Sequence, residues 1–132
     1  MESINTDTIN FEKSILESIK FERIDLSNEL EISSEFLISL NEEDKKTIKL
    51  SATVSVSNIG EKFLTVTCVG LFKSEAEVNG VESIKNDEVS AYLVNRVLPY
   101  VSKKIASIML DSYGKELRIP DMITKEDFQK GE

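Results

Sequence analysis

Across residues 47–57 hydrophobic and polar positions alternate without a break: Ile48, Leu50, Ala52, Val54 and Val56 fall on one side, Lys49, Ser51, Thr53, Ser55 and Ser57 on the other. A period of two with β-branched side chains predicts a half-buried strand. Asn58, Ile59, Gly60 and Glu61 then supply hairpin chemistry, since Asn and Gly accept positive φ. A second strand is expected over 62–72, with Leu64, Val66, Cys68 and Phe72 on one face and Phe63, Val69 and Leu71 on the other. Upstream, residues 35–40 put Phe36, Ile38 and Leu40 on a single face and predict a third strand before the polar turn 41–46. Its expected partner is 14–26, where Ile19 and Phe21 share one parity and Ile24 and Leu26 the other. A bulge near Glu22 and Arg23 produces such a change of face. Phe11, Ile15, Leu16 and Ile19 also fit a 3.6-residue period, so 11–20 stays open between strand and helix.

Beyond Gly80 the period lengthens. Asn86 has the chemistry of an N-cap, Asp87 and Glu88 suit a helix start, and a short helix is predicted over 89–98. Pro99 suits the first turn of a new, longer helix that ends at Gly114. At about 100° per residue, Val101, Ile105, Ala106, Ile108, Met109, Leu110 and Tyr113 sweep an arc of roughly 200°. A helix lying on one sheet needs a stripe of about 100°. The expectation is therefore two apolar neighbours, the chain's own sheet and a second subunit, with Val101, Ile105, Ile108 and Met109 at the interface. The alternative is a monomer whose tail, 117–128, covers the helix. In that tail Thr124 and Asp127 have capping-box spacing, which predicts a short helix over 125–130 behind an extended link at Ile119 and Pro120. Residues 1–13 read as a flexible N-terminal segment. Residues 14–132 read as one α+β domain, a four-stranded antiparallel sheet with a long and a short C-terminal helix on one face.

Composition narrows the function. A chain of 132 residues suits one domain. Sixteen bases against 24 acids give a net charge of −8, which disfavours nucleic acid and favours a basic partner or plain solubility. The absence of histidine excludes Ser/His/Asp and Cys/His catalysis and His-ligated zinc. A single cysteine, Cys68, forms no internal disulfide and fits a reducing compartment. The first residues lack the basic-then-apolar pattern of a leader, and no apolar run reaches the length of a membrane span, so a cytoplasmic protein without membrane insertion is expected. Asp111 with Lys115, and Lys103 with Lys104, read as solvated helix surface. Cys68 reads as a buried structural thiol with no histidine to activate it. No Gly-rich phosphate loop is present. An enzyme is not expected, nor a cofactor or metal.

Residues 95–120, NRVLPYVSKKIASIMLDSYGKELRIP, resemble the SecB protein-export chaperone family. The family's pattern is Asn, two aliphatics, an aromatic, Pro-Tyr, a helix with Ile and Ser, then a leucine-bearing link to a second Pro. Asn95, Pro99, Tyr100, Ile105, Ser107, Leu117 and Pro120 stand in matching places. Gly70, Leu71 and Phe72 are similar to the family's Gly-Ile-Phe, and Glu35, Ile38 and Leu40 to its Glu-x-x-Leu-x-Leu strand. Ile24 and Leu26 resemble its bulged first strand. The resemblance spans about 15–128. It implies a SecB-like sheet with helices on one face, assembled into a dimer or a tetramer as a dimer of dimers. It also implies an ATP-independent holdase for unfolded or precursor polypeptides, acting in protein export. The implied client groove lies between the strand holding Phe36, Ile38 and Leu40 and the C-terminal segment holding Leu117, Ile123 and Phe128. For each of these residues ordinary core is the competing reading.

The chain also departs from the pattern. Leu93, Val94 and Asn95 replace the family's Cys-Pro-Asn, and Gly114 with Lys115 replace its aromatic-Pro. The carboxylates that dock the SecA motor correspond to Arg23, Ser27 and Thr65, which weakens attraction to a basic motor surface. Two other functions stay in view: a dedicated chaperone for one partner such as an antitoxin, and a structural module holding a small apolar ligand.

Overall fold

In the computed structural model, which describes residues 6–27, 30–41, 43–80, 82, 84, 86–115 and 117, a 3-10 turn at Thr6–Thr8 leads into strand β1 (Ile9–Phe21). Then come β2 (Leu30–Leu40), β3 (Thr47–Asn58), β4 (Glu61–Ser74) and one helix, α1 (Asp87–Tyr113). The strands are antiparallel in the order β1-β4-β3-β2. The alternation in β3 becomes burial: Ile48, Leu50, Ala52, Val54 and Val56 join Leu64, Val66, Cys68 and Phe72 of β4 in the core. On them α1 lays down Val89, Leu93, Val94, Val97, Leu98, Val101, Ile105 and Met109. The approach is close at Gly70, where a Cβ would run into Val97 Cγ2. A bare backbone at that spot lets the helix seat on the middle of the sheet.

Several expectations change. Residues 11–20 are strand, not helix, and β1 begins at Ile9, so 9–13 belong to the sheet. It ends at Phe21, short of Leu26, and its register shifts lie at Phe11/Lys13 and Leu16/Ser18, not at Glu22 and Arg23. Its partner is β4; β2 pairs with β3 instead. Alternation tells which way a residue faces, not which strand lies beside it. Short connections settle the pairing. Asp44 closes the β2–β3 turn, its carboxylate accepting from Lys46 N (2.8 Å), Thr47 N (2.9 Å) and Thr47 Oγ1 (2.7 Å). The hairpin at Ile59 and Gly60 joins β3 to β4. That leaves β1 the far side of β4, so the chain crosses the end of the sheet to reach β2.

The crossing segment is held at both ends of its described part. Ile24 N donates to the Tyr113 hydroxyl (3.0 Å), which donates back to Ile24 O (2.9 Å). Arg23 lies 5.0 Å over the Tyr113 ring and donates from Nε to Ser112 O. Asn58 Oδ1 accepts from Ser27 N and Ser27 Oγ. Asn58 is thus committed to the crossing, and Ile59, not Asn58, takes positive φ (47°) in the hairpin, followed by Gly60 at 79°.

The two predicted helices are one. Asn86 caps it, its side chain accepting from Val89 N, and Gly114 ends it at φ 73°. Pro99 sits inside, not at the start of a second helix. A proline in a helix interior costs roughly 3 kcal/mol. The eight buried side chains on either side of it gain about 1.5–3 kcal/mol each and outweigh that. Pro99 is exposed, so any bend there wraps the helix around the sheet. The short helix expected over 125–130 lies outside the described residues.

Candidate functional site

A single helix centred on β3 and β4 leaves the helix-side flanks of both edge strands partly open. On β2 the register places Leu40, Ile38, Phe36 and Ile32 opposite Ile48, Leu50, Ala52 and Val56, and directly opposite residues face the same way. Phe36, Ile38 and Leu40 are half-buried against the core, while Ile32 is 43% exposed. Ile24, Leu26 and Leu30 pack on the same core. The result is an apolar row, half-buried from Leu40 to Phe36, interrupted by the exposed Ser34 opposite Val54, and open at Ile32. Of the residues expected to line a groove, the structure puts Phe36, Ile38 and Leu40 on this row. Leu117, just past the helix, packs on the same core. Ile123 and Phe128 lie outside the described residues.

On the opposite flank, Leu16, Ile19 and Phe21 of β1 face Cys68, Val66 and Leu64 yet remain exposed, with the Phe21 ring edge-on to Tyr113 at the helix end. Tyr100 and Leu110 are the exposed large apolar residues of α1. Phe11 joins Tyr100 at 6.0 Å between ring centres, and the Arg96 guanidinium lies 5.2 Å over the Phe11 ring. The expected subunit seam changes accordingly: Val101, Ile105 and Met109 are buried against the chain's own sheet, and Ile108 is half-buried on it. Three of the four have no surface left for a partner. The wide stripe is taken up because α1 spans two strands and the crossing segment. Leu16 and Ile19 were hidden in the sequence by the bulge between them, which brings residues of opposite parity onto one face.

The other face of the sheet is mainly polar, although Ile15, Leu37, Val69 and Leu71 also lie on it. A trough of about 1010 Å³ there includes Lys20, Ser33, Glu35, Thr53, Ser55 and Thr65 in its lining. Four hydroxyls on this face pair with one another, with Thr53 Oγ1 2.9 Å from Thr67 Oγ1 and Ser55 Oγ 3.0 Å from Thr65 Oγ1. A hydroxyl paired with another hydroxyl has no general base to activate it as a nucleophile. Cys68 lies in the core, where burial pushes its thiol up. The Asp44 carboxyl is held well below the usual range, first by the Thr47 hydroxyl and then by the Lys46 and Thr47 backbone, a turn-forming role. Among the described residues no cluster of three His, Cys, Asp or Glu side chains is placed to hold a metal, and no helix is long and apolar enough to cross a membrane. What the described surface offers is apolar strips and strand edges.

No protein-family model matches the chain, and no curated protein matches it by sequence. Solved structures do match in shape. The SecB-like chaperone Rv1957 of Mycobacterium tuberculosis, in complex with a ChAD peptide from the Rv1956 HigA1 antitoxin, superposes with a TM-score of 0.70 at 9% identity, over 89% of this chain and 90% of that one. A protein of unknown function from Streptococcus agalactiae superposes with a TM-score of 0.54 at 11% identity, over 85% and 96%. The four-stranded antiparallel sheet with one main helix on its face is thus a SecB-like fold.

Proposed function

We propose that this chain is an ATP-independent holdase that binds non-native polypeptide along the helix-side flank of β2, with Phe36, Ile38, Leu40 and Leu117 in the lining and Ile123 and Phe128 as further client-binding residues. The observation that carries this reading is the open apolar row of β2, in a fold shared with a chaperone solved with a bound peptide. An unfolded chain exposes apolar side chains, and each Å² it buries here gains about 25 cal/mol. Copies of the chain assemble as a dimer or tetramer, and the protein works in the cytoplasm. A role in export is its broadest form. SecA is a poor fit as partner, since Arg23 and Ser27 are tied into the crossing segment where carboxylates would be needed.

A second reading is a chaperone dedicated to one client. It is favoured by the neighbour, whose bound peptide comes from an antitoxin. Aggregation assays separate the two. A general holdase suppresses aggregation of several unrelated denatured proteins at near-stoichiometric amounts, and a dedicated one protects a single cognate client. Protection of none removes both readings. The variant to use is Ile32→Asp, which adds a charge on the open end of the row; it lowers protection severalfold while circular dichroism stays unchanged. Ile38→Asp or Leu40→Asp would charge the core as well and confuse loss of binding with loss of fold.

A further inference from the structure

The face of the sheet turned away from α1 is uneven in charge. Its register sets side chains in rows that run across the strands, since directly opposite residues share a face. One row reads Lys13 on β1, Leu71 on β4, Lys49 on β3 and Ser39 on β2. Lys73 stands one row beyond it on β4, and Ile15 and Leu37 mark the two ends of the row on its other side. With strands about 4.8 Å apart and a rise of about 3.4 Å per residue, the Cα atoms of the three lysines form a triangle with sides of about 8–10 Å. All three are exposed, and Lys13 and Lys49 have no ion pair among the described residues. Lys73 reaches Asp44 at 3.4 Å, but that carboxylate is already engaged by Thr47 and the turn backbone. The acids at paired positions of this face, Glu35 and Glu31, lie two and four rows away. Glu12 and Glu17 fall at the register shifts of β1, opposite no residue of β4. A chain of net charge −8 thus gathers lysines at one end of a face, beside Leu37 and Ile15, which are 67% and 44% exposed. Like charges so gathered repel one another, and an anion placed among them relieves the repulsion.

We propose that this end of the face is a docking site for an acidic segment of a partner protein, with its Asp or Glu side chains among Lys13, Lys49 and Lys73 and its apolar side chains over Leu71 and the neighbouring Ile15 or Leu37. The site lies on the side of the sheet opposite the client row and does not depend on the client-binding reading. Two observations favour a short protein segment over nucleic acid or an anionic bilayer. A long polyanion meets the whole molecule and is repelled by its net charge, whereas a short acidic segment lies within the screening length of about 10 Å at 0.1 M salt and responds to the lysines beside it. No aromatic residue stands at a paired position of this face to stack on a base, while the exposed Leu37 and Ile15 suit apolar side chains of a protein.

The test titrates the full chain with a short capped peptide that has leucines at its centre and glutamates on both sides. The comparison probes are the same peptide with glutamine or lysine in place of glutamate, an oligothymidylate of equal length, and phosphatidylserine vesicles. Binding is read by fluorescence anisotropy for the peptides and the oligonucleotide, by co-sedimentation for the vesicles, and its position by NMR shifts of backbone amides. The glutamate peptide binds and shifts Lys13, Leu71 and Lys49, and the glutamine and lysine peptides bind about tenfold more weakly or worse. Lys13→Glu with Lys49→Glu weakens the glutamate peptide about tenfold while circular dichroism stays unchanged. Lys20→Glu with Lys62→Glu makes the same change in net charge at the other end of the face and leaves binding within about twofold. Equal losses in the two double variants would assign the attraction to overall charge and overturn the site. Equal binding of the glutamine peptide overturns recognition of carboxylates. Tighter binding of the vesicles or the oligonucleotide than of the glutamate peptide, lost in Lys13→Glu with Lys49→Glu, overturns a protein partner. A glutamate peptide that fails to bind at low salt overturns the proposal outright and leaves the holdase reading untouched, since that reading rests on the other side of the sheet.

Discussion

Two residues carry costs and constraints that local sequence does not advertise. Ile59 sits in the β3–β4 hairpin at φ 47° and is 73% exposed. A left-handed conformation costs an L-residue about 1–2 kcal/mol, and a β-branched one has no side-chain bond to offset it. Ile59→Asn, giving Asn-Gly in the turn, should raise unfolding stability by about 1 kcal/mol in urea titration. No gain would mean that Ile59 is held by contacts rather than strained. Asp44 shows the opposite balance. Hydrogen bonds from Thr47 and the Lys46 and Thr47 backbone hold its carboxyl below the usual range in the folded chain. The native state therefore binds fewer protons than the unfolded one between the two values. The stability from Asp44 is present above about pH 4 and is lost as pH falls through the lower, folded value. Asp44→Asn should be less stable than the parent at pH 7, and the gap should narrow as the buffer is taken towards pH 2. A gap that stays constant with pH would assign the loss to shape rather than charge.

Among the elements, the crossing segment between β1 and β2 depends most on single contacts. The Tyr113 hydroxyl both accepts from and donates to the backbone of Ile24, and its ring meets Phe21, Phe63 and Arg23. Tyr113→Phe keeps the ring contacts and removes both hydrogen bonds. It should cost about 1–2 kcal/mol and accelerate hydrogen exchange at Ile24 and its neighbours more than in β3. Uniform acceleration would mean that the clamp stabilises the whole sheet rather than the crossing. The helix was legible at its ends and misread in its middle. Asn86 and Gly114 cap it as their chemistry suggests, because capping is settled within a few residues. Pro99 suggests a break, because local propensity takes no account of the sheet beneath, on which Val97, Leu98 and Val101 are all buried.

At the scale of the molecule, the proposed assembly has to use the surface that remains after folding. Leu16, Ile19 and Phe21 of β1, with Tyr100 of α1, form the apolar flank away from β2. Exposed apolar side chains gathered on one flank of a chain in water favour a partner. Ile19→Asp should lower the mass measured by light scattering to that of the monomer without changing circular dichroism, whereas Ile105→Asp should unfold the chain. A parent protein that is itself monomeric at all concentrations would remove the assembly. The sequence by itself determined the faces of β3 and β4, the caps of α1 and the shared face of Phe36, Ile38 and Leu40, because all of these follow from periods of two or 3.6 and from local hydrogen bonding. The three-dimensional arrangement alone decided that β1 pairs with β4, that Val101, Ile105 and Met109 face inwards, and that Leu16, Ile19 and Ile32 stay exposed. Those outcomes turn on which strands become neighbours and on how far one helix reaches across four strands, and both depend on contacts between residues distant in the chain.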